Sequence, residues 1–403
     1  NTTYPNPFYL TDDPDYIYLL WRGVNWHPTM AKLTIPDENG VCQLATTPKQ
    51  IVDTKSINPN DSTRRPYAKY ASNGKDTIHI IYTYTHPDND QNNPIYSVKY
   101  VLDAESNTAT GKTGALYNTK SEFLSDYESL PYESDRQISH NASVVLADGN
   151  RGWTWDLMLD EKGNPVAVYT VISNDATLHQ YYYARWNGTE WISTYLCDAG
   201  KWFHSDPSRE KCYSAGLALD HNNPNVVYVS RPIEGKYGSV YEIEKLVSHD
   251  NGATFTERIQ ITRDSEKNNV RPLTPWNHHD KEFDVLWLNG DYTYWLNSYY
   301  TGVTAHFNID DKAFKTESIH ISGSTATVTV RQNNGEAQEA VVVLVAEKNG
   351  KINAVKTKTI SFNNDKKDIV FENFTYAEGS ALYVLILDSM QSLKPLAEKF
   401  VLK

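Results

Sequence analysis

Arginine, histidine and tyrosine recur at the ends of apolar runs in this sequence, and these are the residue types that grip an anion and move a proton. The runs TYPNPFYL, RPYAKYA, WTWDLMLD, YSAGLALD and RPLTPW carry Tyr4, Asn6, Arg65, Trp153, Trp155, Asp156, Tyr213, Ser214 and Arg271 at or near their starts. The apolar runs that follow them end with Arg22, His86, Tyr169 and Arg231, and His27 and His179 open the runs after those. A guanidinium is a rigid donor fork that matches a carboxylate, sulfate or phosphate, so several aimed at one cavity imply an acidic ligand. Imidazole titrates near neutrality and a phenol can give up a proton. If the ligand is a uronate within a polymer, β-elimination needs its carboxylate neutralised, a base for the C5 proton and an acid for the leaving oxygen. His86 is then the candidate base, Tyr213 the acid and Arg231 the carboxylate holder, with His179 as reserve base. Arg22, Arg65, Trp153, Trp155, Asp156, Tyr169 and Arg271 complete the substrate-binding set.

The elements that must position these residues are strands. Hydrophobicity alternates with period two in short runs closed by Gly, Asn, Asp or Pro, and long amphipathic helices are absent. The strands recur in a fixed order in five units starting near Tyr4, Arg65, Trp153, Tyr213 and Arg271. Most spacings are about 60 residues, which is the repeat of a four-stranded propeller blade; the longest holds an insertion around 120–150. In an antiparallel blade the start of strand one, the end of strand two and the start of strand three share a face, and strand one lines the central axis. The polar residues named above therefore converge on one funnel. His221, His278, His279 and the turn at Asp250 fall in loops at the opposite end, and His79, mid-strand, is expected to pack between blades.

Composition narrows the class. The chain has 403 residues with 39% hydrophobic content, enough for two or three cores, and its 28 Tyr and 10 Trp suit sheet faces and sugar-binding surfaces alike. A formal charge of -12 and the lack of a basic run argue against a nucleic-acid or anionic-membrane partner. No stretch is long and apolar enough to span a membrane, and the N-terminus lacks a charged head followed by a hydrophobic core, so a secreted or cell-surface protein whose signal peptide is already gone is expected. Cys197 and Cys212 are close enough in sequence to pair or to stay free, with Cys42 left over. No zinc spacing exists; a structural calcium is conceivable in HPDNDQNNP or DPDY, although neither matches a known calcium loop.

The segments YPNPFYL, RPYAKYASNGKDTIHIIYTYTHP, WDLMLDEKGNPVAVYT, YYYARWNG, YSAGLALDHNNPNVVYVSR and NNVRPLTP together resemble the bacterial neuraminidase repeat proteins of the sialidase-like propeller superfamily. Ser248-His249-Asp250-Asn251-Gly252-Ala253-Thr254-Phe255 resembles the Asp box of those repeats, a structural turn between outer strands. The resemblance implies a β-propeller over 1–315. It also implies a carbohydrate-active protein near the propeller polysaccharide lyases, such as those acting on ulvan, whose anionic ligand is a uronate or sialate of an acidic polysaccharide. Residues 316–403 have fewer aromatics, and LYVLILDSMQSLKPLAEKFVLK resembles a C-terminal accessory β-sandwich of secreted carbohydrate-active enzymes of Gram-positive gut bacteria. Two other readings stay open. One is a sialidase-like glycoside hydrolase using Asp156 with Tyr169 or Tyr213, against which stands the missing Arg-Ile-Pro signature; the other is a lectin without catalysis. Members of this kind usually carry further blades upstream, so the chain is expected to be a fragment lacking about two blades.

Overall fold

The computed structural model describes residues 3–54, 65–134, 142–205, 210–276, 284–290, 292, 304–308, 314–332, 339–362, 366–391, 393, 396–397 and 399–402. Two compact units emerge: 1–258 with 262–278 and 285–307, and 259–261 with 279–284 and 308–403. His278 and His279 lie outside the described residues.

Among the described residues, the larger unit is a β-propeller with five antiparallel blades. The first blade pairs Thr3–Tyr9, Tyr16–Arg22, Pro28–Thr34 and Lys49–Gln50 in order. The second begins with Ala68–Ser72, Thr77–Thr83, Ile95–Leu102 and Gly114–Asn118, and the third runs Gly152–Leu159, Pro165–Ile172, His179–Trp186 and Trp191–Gly200. The fourth has Leu217–Asp220, Asn223–Gly235, Gly238–Val247 and a strand opening at Glu257, and the fifth Asn269–Leu273, Val285–Asn289 and a strand opening at Thr304. The insertion adds Phe123–Asp126 to the second blade, and Tyr132–Ser134 pairs in parallel with Val52–Thr54.

Alternation explains why these blades stack. Tyr82, Val98, Val168, Tyr181, Leu219 and Val229 are fully or almost fully buried between sheets, while their sequence neighbours point the other way. Buried tyrosines need a partner for their hydroxyl, and for Tyr181 the partner is the next blade. Tyr181 donates to the Ser230 carbonyl at 3.0 Å and accepts the Gly216 amide at 2.7 Å, which ties the third blade to the fourth. Gly216, at φ +112, lets the backbone pass so close that a Cβ would stand 3.2 Å from the Trp155 ring and 3.3 Å from the Arg271 Cα.

In the second unit Phe314–Ser322, Thr325–Gln332 and Lys366–Phe371 form one antiparallel sheet, and Lys351–Ser361, Glu339–Lys348, Ala381–Leu387 and Phe400–Leu402 form another. Val328, Val330 and Ile369 of the first share a core with Val342, Leu344, Val384 and Ile386 of the second. Among the described residues, no helix is long and apolar enough to cross a membrane.

Candidate functional site

The inner strands of three blades are interrupted at corresponding places. A bulge falls between Thr3 and Asn6, another between Thr154 and Asp156, and a third between Val270 and Leu273. Bulges re-aim side chains. Tyr4 and Arg271 sit in theirs with φ of 59° and 60°, a region that costs a non-glycine residue on the order of 1 kcal/mol.

Strain of that kind persists only where surrounding structure fixes it, and here the re-aimed residues meet in one aromatic cluster. His86 lies at its centre with ring centroids 5.1 Å from Trp153, 5.4 Å from Tyr67 and 6.2 Å from Tyr213. Trp153 and Tyr213 are 4.7 Å apart, and Tyr4 packs 5.8 Å from Tyr67. The Arg22 guanidinium lies over Tyr67 at 4.7 Å, Tyr4 at 5.1 Å and Trp26 at 5.2 Å. Arg65 stands 4.7 Å over the Trp26 ring. Arg271 is boxed by Trp155 at 4.9 Å, Phe203 at 5.1 Å and Tyr213 at 5.6 Å. Side chains from all five blades and their connections thus surround one place.

The loop that carries His86 is held from below. Asn93, fully buried, accepts the Thr85 amide at 2.7 Å and donates to the Gly152 carbonyl at 2.9 Å. Arg151 donates to the Pro87 carbonyl at 2.7 Å and to the Asn174 carbonyl at 3.1 Å. The third blade therefore fixes a loop of the second, and His86 is 6% exposed within it.

Among the described residues, Nη1 of Arg22 and Nε2 of His86 are buried without a partner, and no carboxylate meets the Arg271 guanidinium. Burial pulls the pKa of Arg271 down, with tyrosines around it pulling the other way. Burial also lowers the pKa of His86, opposed by Asp88 and Glu210 and reinforced by Arg22 and Arg65. The Tyr213 hydroxyl is pushed far above its ordinary value, first by burial and then by Tyr67, Glu210 and Tyr4, against Arg271. It holds its proton at neutral pH.

His86, Tyr213, Trp153, Trp155, Arg22, Arg65 and Arg271 are thus brought together, and four other residues go elsewhere. Arg231 does not end its strand: Asn223–Gly235 runs on beyond it, and its guanidinium forks onto Glu244 at 2.5 and 3.1 Å. Tyr169 pairs opposite Thr154, is 2% exposed, stacks on Tyr182 at 5.5 Å and donates to Ser193 at 3.0 Å. It is Thr170 that turns inward to accept the Trp155 indole at 2.8 Å. His179 is fully buried with both nitrogens engaged, Nε2 donating to the Lys211 carbonyl at 3.0 Å and Nδ1 accepting Ser214 at 2.9 Å. Asp156 accepts the Leu219 amide at 3.1 Å and His221 Nε2 at 3.0 Å, so the expectation that His221 stands apart from it is corrected.

The remaining expectations concern scaffold. His27 bonds the Asn25 carbonyl at 2.7 Å and Thr54 at 3.1 Å, and His79 is buried with its pKa pulled to about 4 by burial and Lys99. Asn6 caps the Tyr4 carbonyl at 2.6 Å. Asp250 lies between the outer strands of its blade and accepts Thr254 through amide and hydroxyl at 2.8 and 2.7 Å. Cys42, Cys197 and Cys212 are all unbridged. Sequence reasoning missed Tyr67, which follows Arg65-Pro66 directly, along with Trp26, Phe203, Asp88 and Glu210. His86, Asp88 and Glu210 bring ligand-type atoms within 4.8 Å of one another, a donor set of the kind that takes a divalent cation.

Comparisons with known proteins agree with the repeat reading. Residues 1–199 match the family profile described as BNR repeat-containing family member. No curated protein matches. A solved ulvan lyase of polysaccharide lyase family 25, bound to -[GlcA(1-4)Rha3S]-, is 16% identical with a TM-score of 0.48, covering 76% of this chain and 64% of its own. The chain therefore spans less than two thirds of that lyase's length. A prolyl oligopeptidase B from Galerina marginata is 9% identical, with a TM-score of 0.33 over 96% of this chain and 55% of its own. A hypothetical selenium-binding protein from Sulfolobus tokodaii is 9% identical, with a TM-score of 0.32 over 90% and 79%. Over its first 199 residues, the chain is similar to the BNR repeat-containing family.

Proposed function

We propose that the aromatic cluster is the active site of a secreted carbohydrate-active enzyme that cleaves a uronate-containing polysaccharide by β-elimination. The observation that carries this reading is Arg271: a cation held in a strained bulge, boxed by three rings and, among the described residues, met by no carboxylate. Such a group is costly to bury unless a ligand supplies the anion. The orphaned donor of Arg22 points to the same ligand charge, and the exposed Tyr4 offers a ring on which a sugar can stack.

In this assignment Arg271 and Arg22 neutralise the uronate carboxylate, which acidifies the C5 proton. His86, kept neutral by burial, takes that proton at Nε2, and Tyr213, which holds its own proton firmly, delivers it to the leaving oxygen. Arg231 is replaced as carboxylate holder by Arg271, because Glu244 already occupies its fork. A hydrolase using Asp156 has less support, since that carboxylate is engaged by His221 and the Leu219 amide. The two-sheet C-terminal unit is assigned an accessory role.

The test is incubation with uronate-containing polysaccharides while following the ultraviolet absorbance of a conjugated 4,5-double bond. Growth of absorbance supports the lyase; reducing ends without absorbance indicate a hydrolase, and neither product leaves a sugar-binding protein.

A further inference from the structure

We propose that a groove between the third and fourth blades, at the end of the propeller away from the aromatic cluster, is a second sugar site that holds an uncharged stretch of a glycan chain. The groove shares no residue with the cluster and does not depend on what the cluster catalyses. It encloses about 640 Å³, within the range of about 300–1,000 Å³ usual for small-ligand sites. Its walls are the turns and strand ends at 160–164 and 185–187 of the third blade and at 222–225 and 251–253 of the fourth, together with Ile192. Gly152–Leu159 starts beside the cluster at Trp153 and ends at the first of these turns. At about 3.3 Å per residue the two sites stand about 20 Å apart, too far for one sugar ring to touch both.

Amide donors held in place line this groove. The side-chain oxygen of Asn187 accepts the Thr189 and Glu190 amides at 2.8 and 2.9 Å, that of Asn223 accepts the Asn225 amide at 3.0 Å, and that of Asn225 accepts Arg185 Nη1 at 3.1 Å. Each oxygen fixes its side chain, and among the described residues the three Nδ2 groups have no hydrogen-bond partner. An Nδ2 group held this way offers two donors at little rotamer cost, and such preorganisation gains affinity. Charge in the groove is balanced: Arg185 donates to Asp160 at 2.8 Å, and the exposed Glu161 and Lys162 offset each other. An anion therefore finds no net attraction here, unlike at Arg271. A neutral sugar ring finds donors for its oxygens, and its C–H faces meet Ile192, 45% exposed, with Pro224 and Ala253. A protein partner fits less well, since the aromatic lining residue, Trp186, is buried and offers no anchor. A chain held in the groove stays tethered while another part of it reaches the cluster, which raises its local concentration there.

The experiment is calorimetric titration of the full chain with cellohexaose, xylohexaose and mannohexaose as neutral probes and hexagalacturonate as the anionic one. Wild type is compared with the double variant Asn187→Asp with Asn223→Asp, and with Arg271→Lys. The double variant keeps both accepting oxygens, and with them the turns, but turns two donors into acceptors. We expect at least one neutral hexasaccharide to bind wild type, and the double variant to lose about tenfold or more of that affinity. Arg271→Lys should leave neutral binding unchanged, which separates the groove from the cluster. Absence of binding by all three neutral probes up to about 10 mM overturns the proposal. So does neutral binding that the double variant leaves unchanged, or a loss in the double variant that falls on hexagalacturonate alone. A dimer of the free wild type by light scattering that the double variant disperses also overturns it, by assigning the groove to a second copy. If circular dichroism shows the double variant unfolded, Asn187→Asp alone takes its place, and unchanged neutral affinity in that variant overturns the proposal equally.

Discussion

At the scale of single residues, the site is defined by polar groups whose partners are missing. A guanidinium boxed by Trp155, Phe203 and Tyr213 gains cation–π attraction, yet it has given up water on several sides and meets no carboxylate among the described residues. The fork geometry of Arg271 should therefore matter more than its charge. Arg271→Lys keeps the charge and loses the planar fork. It is expected to weaken binding of a uronate oligosaccharide by about tenfold or more, measured calorimetrically, with the fold intact by circular dichroism; unchanged affinity would assign the carboxylate to another group.

At the scale of elements, two kinds of position were confused by strand order alone. Arg231 and Tyr169 fall at the ends of apolar runs, and the expectation that such ends face the funnel holds for Arg22 and for the connection bearing His86. It fails where the second strand continues, as Asn223–Gly235 does, or where a bulge at Thr154 to Asp156 shifts the alternation so that Thr170 faces inward instead of Tyr169. Neither the length of a strand nor a bulge is written in the period-two pattern. Tyr67 was within reach because it adjoins Arg65 at a strand start. Phe203 and Glu210 were not, because they reach the cluster from a long connection without periodicity. Two expectations belong to this scale. Arg231→Ala leaves the buried Glu244 with one partner fewer, and should cost about 2 kcal/mol in denaturant unfolding while leaving activity within about twofold of wild type. Asn93→Ala removes the two side-chain bonds that pin the His86 loop, and should cost about 2 kcal/mol and also reduce kcat. A matching loss of activity in both variants would mean that only overall stability is being read.

At the scale of the molecule, the repeat, the all-β class and the convergence of several strand starts on one face were legible, since five units with the same strand order leave few alternatives to a propeller. The proton chemistry was less so, because it depends on burial. His79 and His179 have pKa values pulled to about 4 by burial, below the ordinary value of about 6.5. The unfolded chain binds more protons across that window, so their contribution to stability is complete above about pH 6.5 and is lost as pH falls towards 4, by up to about 3 kcal/mol for each ring. Melting midpoints should drop most steeply over that interval, and His179→Gln should flatten the drop; an equal slope in the variant would place the acid sensitivity elsewhere.

The central claim is that five blades bring Arg271, Arg22, His86 and Tyr213 around an acidic sugar in order to eliminate across its C4–C5 bond. Its most direct measurement is the absorbance of the unsaturated product, recorded for wild type and for His86→Ala on the same panel of uronate polymers. The account predicts growth of absorbance with wild type and none with a folded His86→Ala. Growth that persists at the wild-type rate in His86→Ala, or a wild type that releases reducing ends with no absorbance change, would contradict it.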